Sequence, residues 1–451
     1  MQESRLAVSE GSGDAAPGRN IWTRAADVAA RTPESRNRYV DFLRALSIGA
    51  VVTGHWLIVA PYVRGGEASI GSMLEYQPWT HWLSWVFQVM PVFFLVGGYS
   101  NAVSWRSAVR SGRSYEDWLL ARLERLIGPV LPLLVAWALL AAGAGRFGVR
   151  PEMIKVASQM ALVPIWFLAV YVMVVVLVPV THAAWERFGL RSFWVLVIAA
   201  AVDDTLFFAA DLRAVGWLNY AFVWLAVHQL GYAWRDGFVA GSRKGLSWAL
   251  GGAIVLIGLV AIGPYPVAMV SVQGQDVSNT LPPKLTMLAM GIVQSGLLLS
   301  FEAPMRRWLT RAAPWTATVL VNSMIMTIFL WHLTASTLVI GAALLLGDAG
   351  LTVIPGSAMW WAMRPVWLGM FALALVPFSL GFGRFERAGA SGRAVPAKRL
   401  VAGAALVCGG LALLALGGVG GDGWLGLRIG VLLLPFLGAV LAGINPLARN
   451  R

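Results

Sequence analysis

The chain has 451 residues, 58% of them hydrophobic and only 13% charged, with a mean hydropathy of +0.69. Soluble domains carry about 25% charged residues, and apolar runs of membrane length recur here from end to end, which excludes a large soluble core and predicts an all-α polytopic transmembrane helical bundle. The formal net charge of +13 falls mostly between apolar runs, as membrane topology requires, and not on a nucleic-acid-binding face.

In chain order, residues 1–37 are rich in Gly, Ala, Ser and Arg without apolar periodicity and read as a flexible cytoplasmic tail. They lack the apolar core of a signal peptide. Twelve spans are expected, at about 41–62, 82–104, 126–143, 162–180, 192–210, 215–234, 246–263, 284–301, 316–342, 358–380, 398–417 and 426–443. The fifth is the weakest because it contains Asp203 and Asp204. With the N-terminus inside, the cytoplasmic loops hold 18 Lys and Arg and the outer loops 7, a bias that runs through both halves and puts both termini in the cytoplasm. The longest outer loops, roughly 63–81 and 264–283, are too short for a separate domain, so the chemistry belongs in or just above the bilayer.

The first span opens RYVDFLRALSIGAVVTGH and carries Arg38, Asp41, Arg44 and His55. At ~100° per residue, Asp41 and Arg44 share a helix face, and His55 returns near that face roughly 16 Å deeper. An imidazole inside lipid needs a partner, a cavity or a task. His55 is read as a general base, with helix contact and proton relay as alternatives. His332, in LWHLTA, is either in the active site or bonded across the bundle, and His228 is structural or substrate-contacting. Arg44 beside Asp41 either fixes the helix end or grips a phosphate or oxyanion. Arg122 and Arg125 before the third span are either topology anchors or the lining of a basic pocket for a nucleotide-bearing donor. Gly97-Gly98 permits close helix packing or close approach of substrate. Asp203, Asp204 and Asp211 read as an acidic patch at the outer surface, in which a sugar-binding role or a carboxylate orienting a histidine is the alternative to a plain loop. The single cysteine, Cys408, is a packing residue, and no metal site is expected. No Walker loop, dinucleotide fingerprint, HExxH or GxSxG is present.

In order and spacing these motifs resemble the acyltransferase 3 family, integral-membrane enzymes that O-acylate sugars and cell-envelope glycans. Asp41-Phe-Leu-Arg44, His55, Phe93-Phe-Leu-Val-Gly-Gly-Tyr99, Arg122 with Arg125 and Pro129, Trp166-Phe-Leu168 and Leu330-Trp-His332 match the family's blocks. Gly97 departs from the family's common serine. The resemblance implies a ten-span core over residues 38–380, an essential His55 and acyl-coenzyme A as donor. Residues 381–451 then add two transmembrane helices and a short tail.

The resulting expectation is transfer of an acetyl or other short acyl group to a sugar, glycan or lipid-linked saccharide, in the inner membrane. His55, Arg44, Asp41 and His332 are the catalytic candidates, with Arg44, helped by His332, stabilising the oxyanion or holding donor phosphate. Arg122, Arg125 and Arg38 are the donor-binding candidates, and membrane lipid is the remaining partner. A proton-coupled secondary transporter or exporter of an envelope precursor is the rival reading, and a non-catalytic partner in an envelope-synthesis complex is the third.

Overall fold

A computed structural model describes residues 20–239, 241–386, 394–421 and 423–444 of the chain. The first 19 residues of the expected tail, and Arg387 and Arg393 of the expected cytoplasmic set, lie outside the described residues.

The described part of the expected tail is not featureless. Asn20 caps α1 (Ile21–Ala30) by accepting from the Thr23 amide, and Ala25 and Ala29 are buried. Trp315 Nε1 donates to the Ala29 carbonyl and to Thr32 Oγ1, at 3.3 and 3.1 Å. The small-residue spacing of IWTRAADVAA forms a narrow apolar stripe that a compositional reading overlooks.

α2 (Arg38–Ile58) follows, capped by Asn37, whose side chain accepts from the Tyr39 amide. Asp41 sits in its first turn, where the helix dipole favours a carboxylate. A β-hairpin then replaces the expected loop. β1 (Val59–Arg64) pairs antiparallel with β2 (Glu67–Ser72). Gly65 and Gly66 join them with φ of 60° and 82°, the two left-handed residues that a tight two-residue hairpin turn requires. Short helices α3 (Met73–Tyr76) and α4 (Ser84–Phe87) lead into α5 (Met90–Arg110).

Several expected spans prove to be broken. α6 (Tyr115–Ile127) and α7 (Val130–Arg146) meet at Gly128-Pro129. α8 (Pro151–Leu162) and α9 (Ile165–Val176) are bent by 46° across Val163-Pro164, because proline removes a ladder donor and clashes with the preceding turn. α10 (Val178–Phe188) runs on from them. α11 (Leu190–Ala209) is continuous through Asp203 and Asp204. α12 (Asn219–Arg235) and α13 (Ser242–Ile262) come next. α14 (Leu285–Ser300) and α15 (Glu302–Trp308) are bent by 53°. The expected ninth span is two helices, α16 (Ala312–Asn322) and α17 (Ile325–Leu345). α18 (Ala358–Phe382), α19 (Ala397–Gly417) and α20 (Ile429–Leu441) complete the chain.

Among the described residues, seven helical stretches are long and apolar enough to cross a membrane, or nine if each bent pair is one span. Three expected spans fall outside that set for visible reasons: α2 carries a charged first turn, α12 has 17 residues and α20 has 13. Leu250, Ile254 and Ile257 on α13 and Val366 and Leu373 on α18 are exposed apolar side chains that face lipid. This is a multi-pass membrane protein.

The centre of the bundle is α5 against α12. A Cβ on Gly98 would lie 1.9 Å from the His228 carbonyl oxygen, and one on Gly231 2.2 Å from the Leu95 oxygen. The two backbones therefore touch, and only glycine fits at the crossing. α19 packs onto α9, where Cys408 Sγ donates to the Ala169 carbonyl at 3.1 Å, and α20 packs against α19.

Candidate active site

α2 runs between two chambers. The one beside its first half, about 650 Å³, is lined by Arg36, Asp41, Arg44, Ser100, Arg122, Arg125, Tyr171 and Glu386. The one beside its second half, about 760 Å³, is lined by His55, Gly54, Gln88, Gln159, Thr80 and Met73. Hairpin residues Ile70, Gly71 and Ser72 and loop residues Val270, Ser271 and Thr280 also line the His55 chamber. The two longest loops expected on the outer side thus border the imidazole. That loop is ordered by its own bonds: Asn279 Nδ2 donates to the Pro266 and Ala268 carbonyls, and Gln88 Nε2 donates to the Met269 carbonyl.

His55 and His332, 277 positions apart, are bonded through Nδ1 and Nε2 at 2.8 Å, with rings nearly parallel. His332 Nδ1 lies 2.7 Å from the Phe329 carbonyl oxygen. A carbonyl only accepts, so Nδ1 carries the proton. In the neutral pair His332 Nε2 is then the acceptor, and His55 donates to it from Nδ1. This leaves His55 Nε2 unprotonated, the state a general base requires. Trp56 Nε1 donates to the His332 carbonyl and ties the two helices together. Since its Nε2 is engaged by His55, His332 is placed to orient that imidazole and has no free nitrogen for the expected help to an oxyanion.

In the other chamber Asp41 is the hub. Arg36 donates to it from Nε and Nη2, at 2.6 and 3.1 Å, and Arg44 from Nη1 at 3.2 Å. The hydrogen bond to Asp41 raises the Arg36 guanidinium above its ordinary pKa. Arg44 Nη2 donates to Ser100 Oγ at 3.1 Å. Arg36 was not foreseen because it precedes the helix, yet it holds the position expected for Arg38. Arg38 turns away: its Nη1 donates to the Leu309 carbonyl and its guanidinium lies over Trp315. The donor-binding expectation for Arg38 is corrected accordingly, since it anchors α2 to the segment before α16. Arg122 lies over Trp118 at the chamber edge. Glu386 accepts from the Thr327 amide and hydroxyl. Four arginines against two carboxylates leave a cationic surplus that suits a phosphate-bearing ligand.

Arg44 and His55, expected on one face of one site, belong to different chambers. The remaining candidates are structural in their contacts. Asp204 is buried and accepts from Asn219 Nδ2, Tyr265 OH and the Leu285 amide, with Lys284 Nζ 3.7 Å away. It orients no histidine, so the expected acidic surface patch resolves into a buried brace at Asp204, a buried Asp203 whose carboxylate accepts no hydrogen bond from the described residues, and an exposed Asp211 paired with Arg213. His228 Nε2 accepts from Asn101 Nδ2 at 3.1 Å, and His81 bonds to the Leu74 carbonyl. A Cβ on Gly97 would meet the Tyr171 hydroxyl at 2.7 Å, so this glycine makes room for a phenol that lines the arginine chamber. Among the described residues no three His, Cys, Asp or Glu side chains gather as metal ligands.

Residues 37–384 match a family model described as an acyltransferase domain. No curated protein and no solved structure matches the chain.

Proposed function

The chain belongs to the acyltransferase 3 family and is an acyltransferase of groups other than amino-acyl groups, and we propose that it moves an acetyl or other short acyl group from acyl-coenzyme A to a hydroxyl of a sugar, glycan or lipid-linked saccharide. The observation that carries this reading is His55, which faces a roomy chamber with its Nδ1 committed to His332 and its Nε2 free to take a proton. Acceptor would enter that chamber. Donor phosphates would bind Arg36, Arg44, Arg122 and Arg125 in the other. The excess of Lys and Arg in the loops on that side supports a cytoplasmic donor chamber, an inner-membrane location and cytoplasmic termini.

In the reaction His55 Nε2 takes the acceptor proton as the hydroxyl oxygen bonds to the thioester carbonyl carbon. Collapse breaks the carbon–sulfur bond, and the thiolate leaves with the proton returned from His55. Arg44 is about 16 Å from His55 along α2, which favours a phosphate-binding role for it over oxyanion stabilisation.

The test uses purified protein in nanodiscs with radiolabelled acetyl-coenzyme A and an envelope-glycan extract. Wild type is expected to label the glycan, and His55→Ala, folded by size-exclusion and thermal melting, to lose about 10²- to 10⁴-fold in rate. Full turnover in folded His55→Ala would overturn the assignment of the base.

A further inference from the structure

The two chambers share two lining residues, Phe167 and Phe329, and Phe93 lines the arginine chamber beside them. Their ring centroids are 5.4 Å apart for Phe93 and Phe167, 6.3 Å for Phe93 and Phe329, and 5.6 Å for Phe167 and Phe329. The three rings come from α5, α9 and α17 and form a collar at the junction of the chambers. Centroid separations of this size are those of rings in direct contact, so no open passage lies between them. The junction is closed at rest, and a wider group must part the rings further to cross it. Phe329 is also tied to the reaction, since its carbonyl holds the His332 proton.

We propose that the Phe93–Phe167–Phe329 collar selects the acyl group by its cross-section, passing acetyl and linear chains and rejecting chains branched next to the carbonyl. The proposal rests on the reading of the arginine chamber as the donor side and the His55 chamber as the acceptor side. An acyl group carried on a donor in one chamber must then cross the ring junction to meet the base in the other. Width is discriminated at the collar, whereas chain length is not, because the His55 chamber beyond it has about 760 Å³ of space.

Butyryl and isobutyryl thioesters test this directly: they have the same atoms, and the branched isomer is wider next to the carbonyl and shorter, so that a loss with isobutyryl cannot come from length. Wild type is expected to use acetyl- and butyryl-coenzyme A at similar kcat/KM and isobutyryl-coenzyme A about 10- to 200-fold less well, the range one misplaced methyl commands in a tight apolar site. Phe329→Ala is expected to narrow the butyryl-to-isobutyryl ratio of kcat/KM at least tenfold, a readout independent of any change in the overall rate. Because truncating a buried ring destabilises, Phe329→Leu and Phe167→Leu are measured beside it, with a thermal melt for each. An unchanged ratio in folded variants that still transfer acetyl overturns the collar. Wild type that transfers no acyl group from any of the three thioesters overturns the donor reading and the collar with it.

Discussion

In the reaction proposed above, His55 depends on the imidazole bonded behind it. The Phe329 carbonyl fixes the His332 tautomer, and His332 in turn fixes that of His55. Removing His332 frees the His55 ring to rotate and to protonate the wrong nitrogen. His332→Ala is expected to lower kcat about tenfold or more with little change in KM, the consequence of losing a buried hydrogen bond of about 1–3 kcal/mol. His332→Gln, whose amide oxygen still accepts from Nδ1, is expected to recover part of the rate. A KM effect with kcat intact would argue that His332 contacts substrate. On the arginine side, Arg122→Gln is expected to raise KM for acetyl-coenzyme A about tenfold or more, in keeping with roughly 1.5–3 kcal/mol for a bond to a charged group. It should leave untouched the KM for a short thioester lacking the nucleotide, and equal losses on both donors would remove Arg122 from phosphate binding.

Among the elements, the crossing of α5 and α12 is the least forgiving. Gly231→Ala puts a methyl group against the Leu95 oxygen and the Tyr99 nitrogen, both backbone. A cost of about 1–3 kcal/mol or more is expected, read as a lowered melting temperature in detergent, whereas Gly143→Ala, with open space around it, should change little. The glycine pair at 97–98 was legible as a packing signal, but its partner was not, because Gly231 lies 133 positions beyond Gly98. The hairpin had a readable signal too, Gly65-Gly66 between two six-residue runs, but the expected first span ran on to residue 62 and absorbed most of the first strand. Hydropathy likewise merged α16 with α17, since it averages over a break and registers composition without backbone direction.

For the molecule as a whole, sequence order and loop charge predicted a helical membrane bundle and brought His55 and His332 forward as candidates. It could not show that Arg44 and His55 serve different chambers. Helical periodicity gives their common face but not which neighbouring helices stand back from it. The orientation is checked by cysteine labelling in a Cys408→Ser background. Glu67→Cys on the hairpin is expected to react with a membrane-impermeant maleimide in intact cells, and Ser111→Cys, after α5, only after permeabilisation. The reverse pattern would invert the membrane orientation and exchange the proposed donor and acceptor sides.

The glycine contact between α5 and α12 also has a mechanical consequence. With no side chains between them, these helices have no layer on which to slide, so they act as one rigid beam bearing Phe93. Phe329 lies at the start of α17, just beyond the discontinuity at Ser323-Met324, where Met324 has φ −136° and ψ 25°. Phe93 is therefore carried on a helix braced by backbone contact, and Phe329 on one that begins at a break. Since Phe329 and His332 share the first turns of α17, any shift of α17 that moved the Phe329 ring would also move the imidazole bonded to His55.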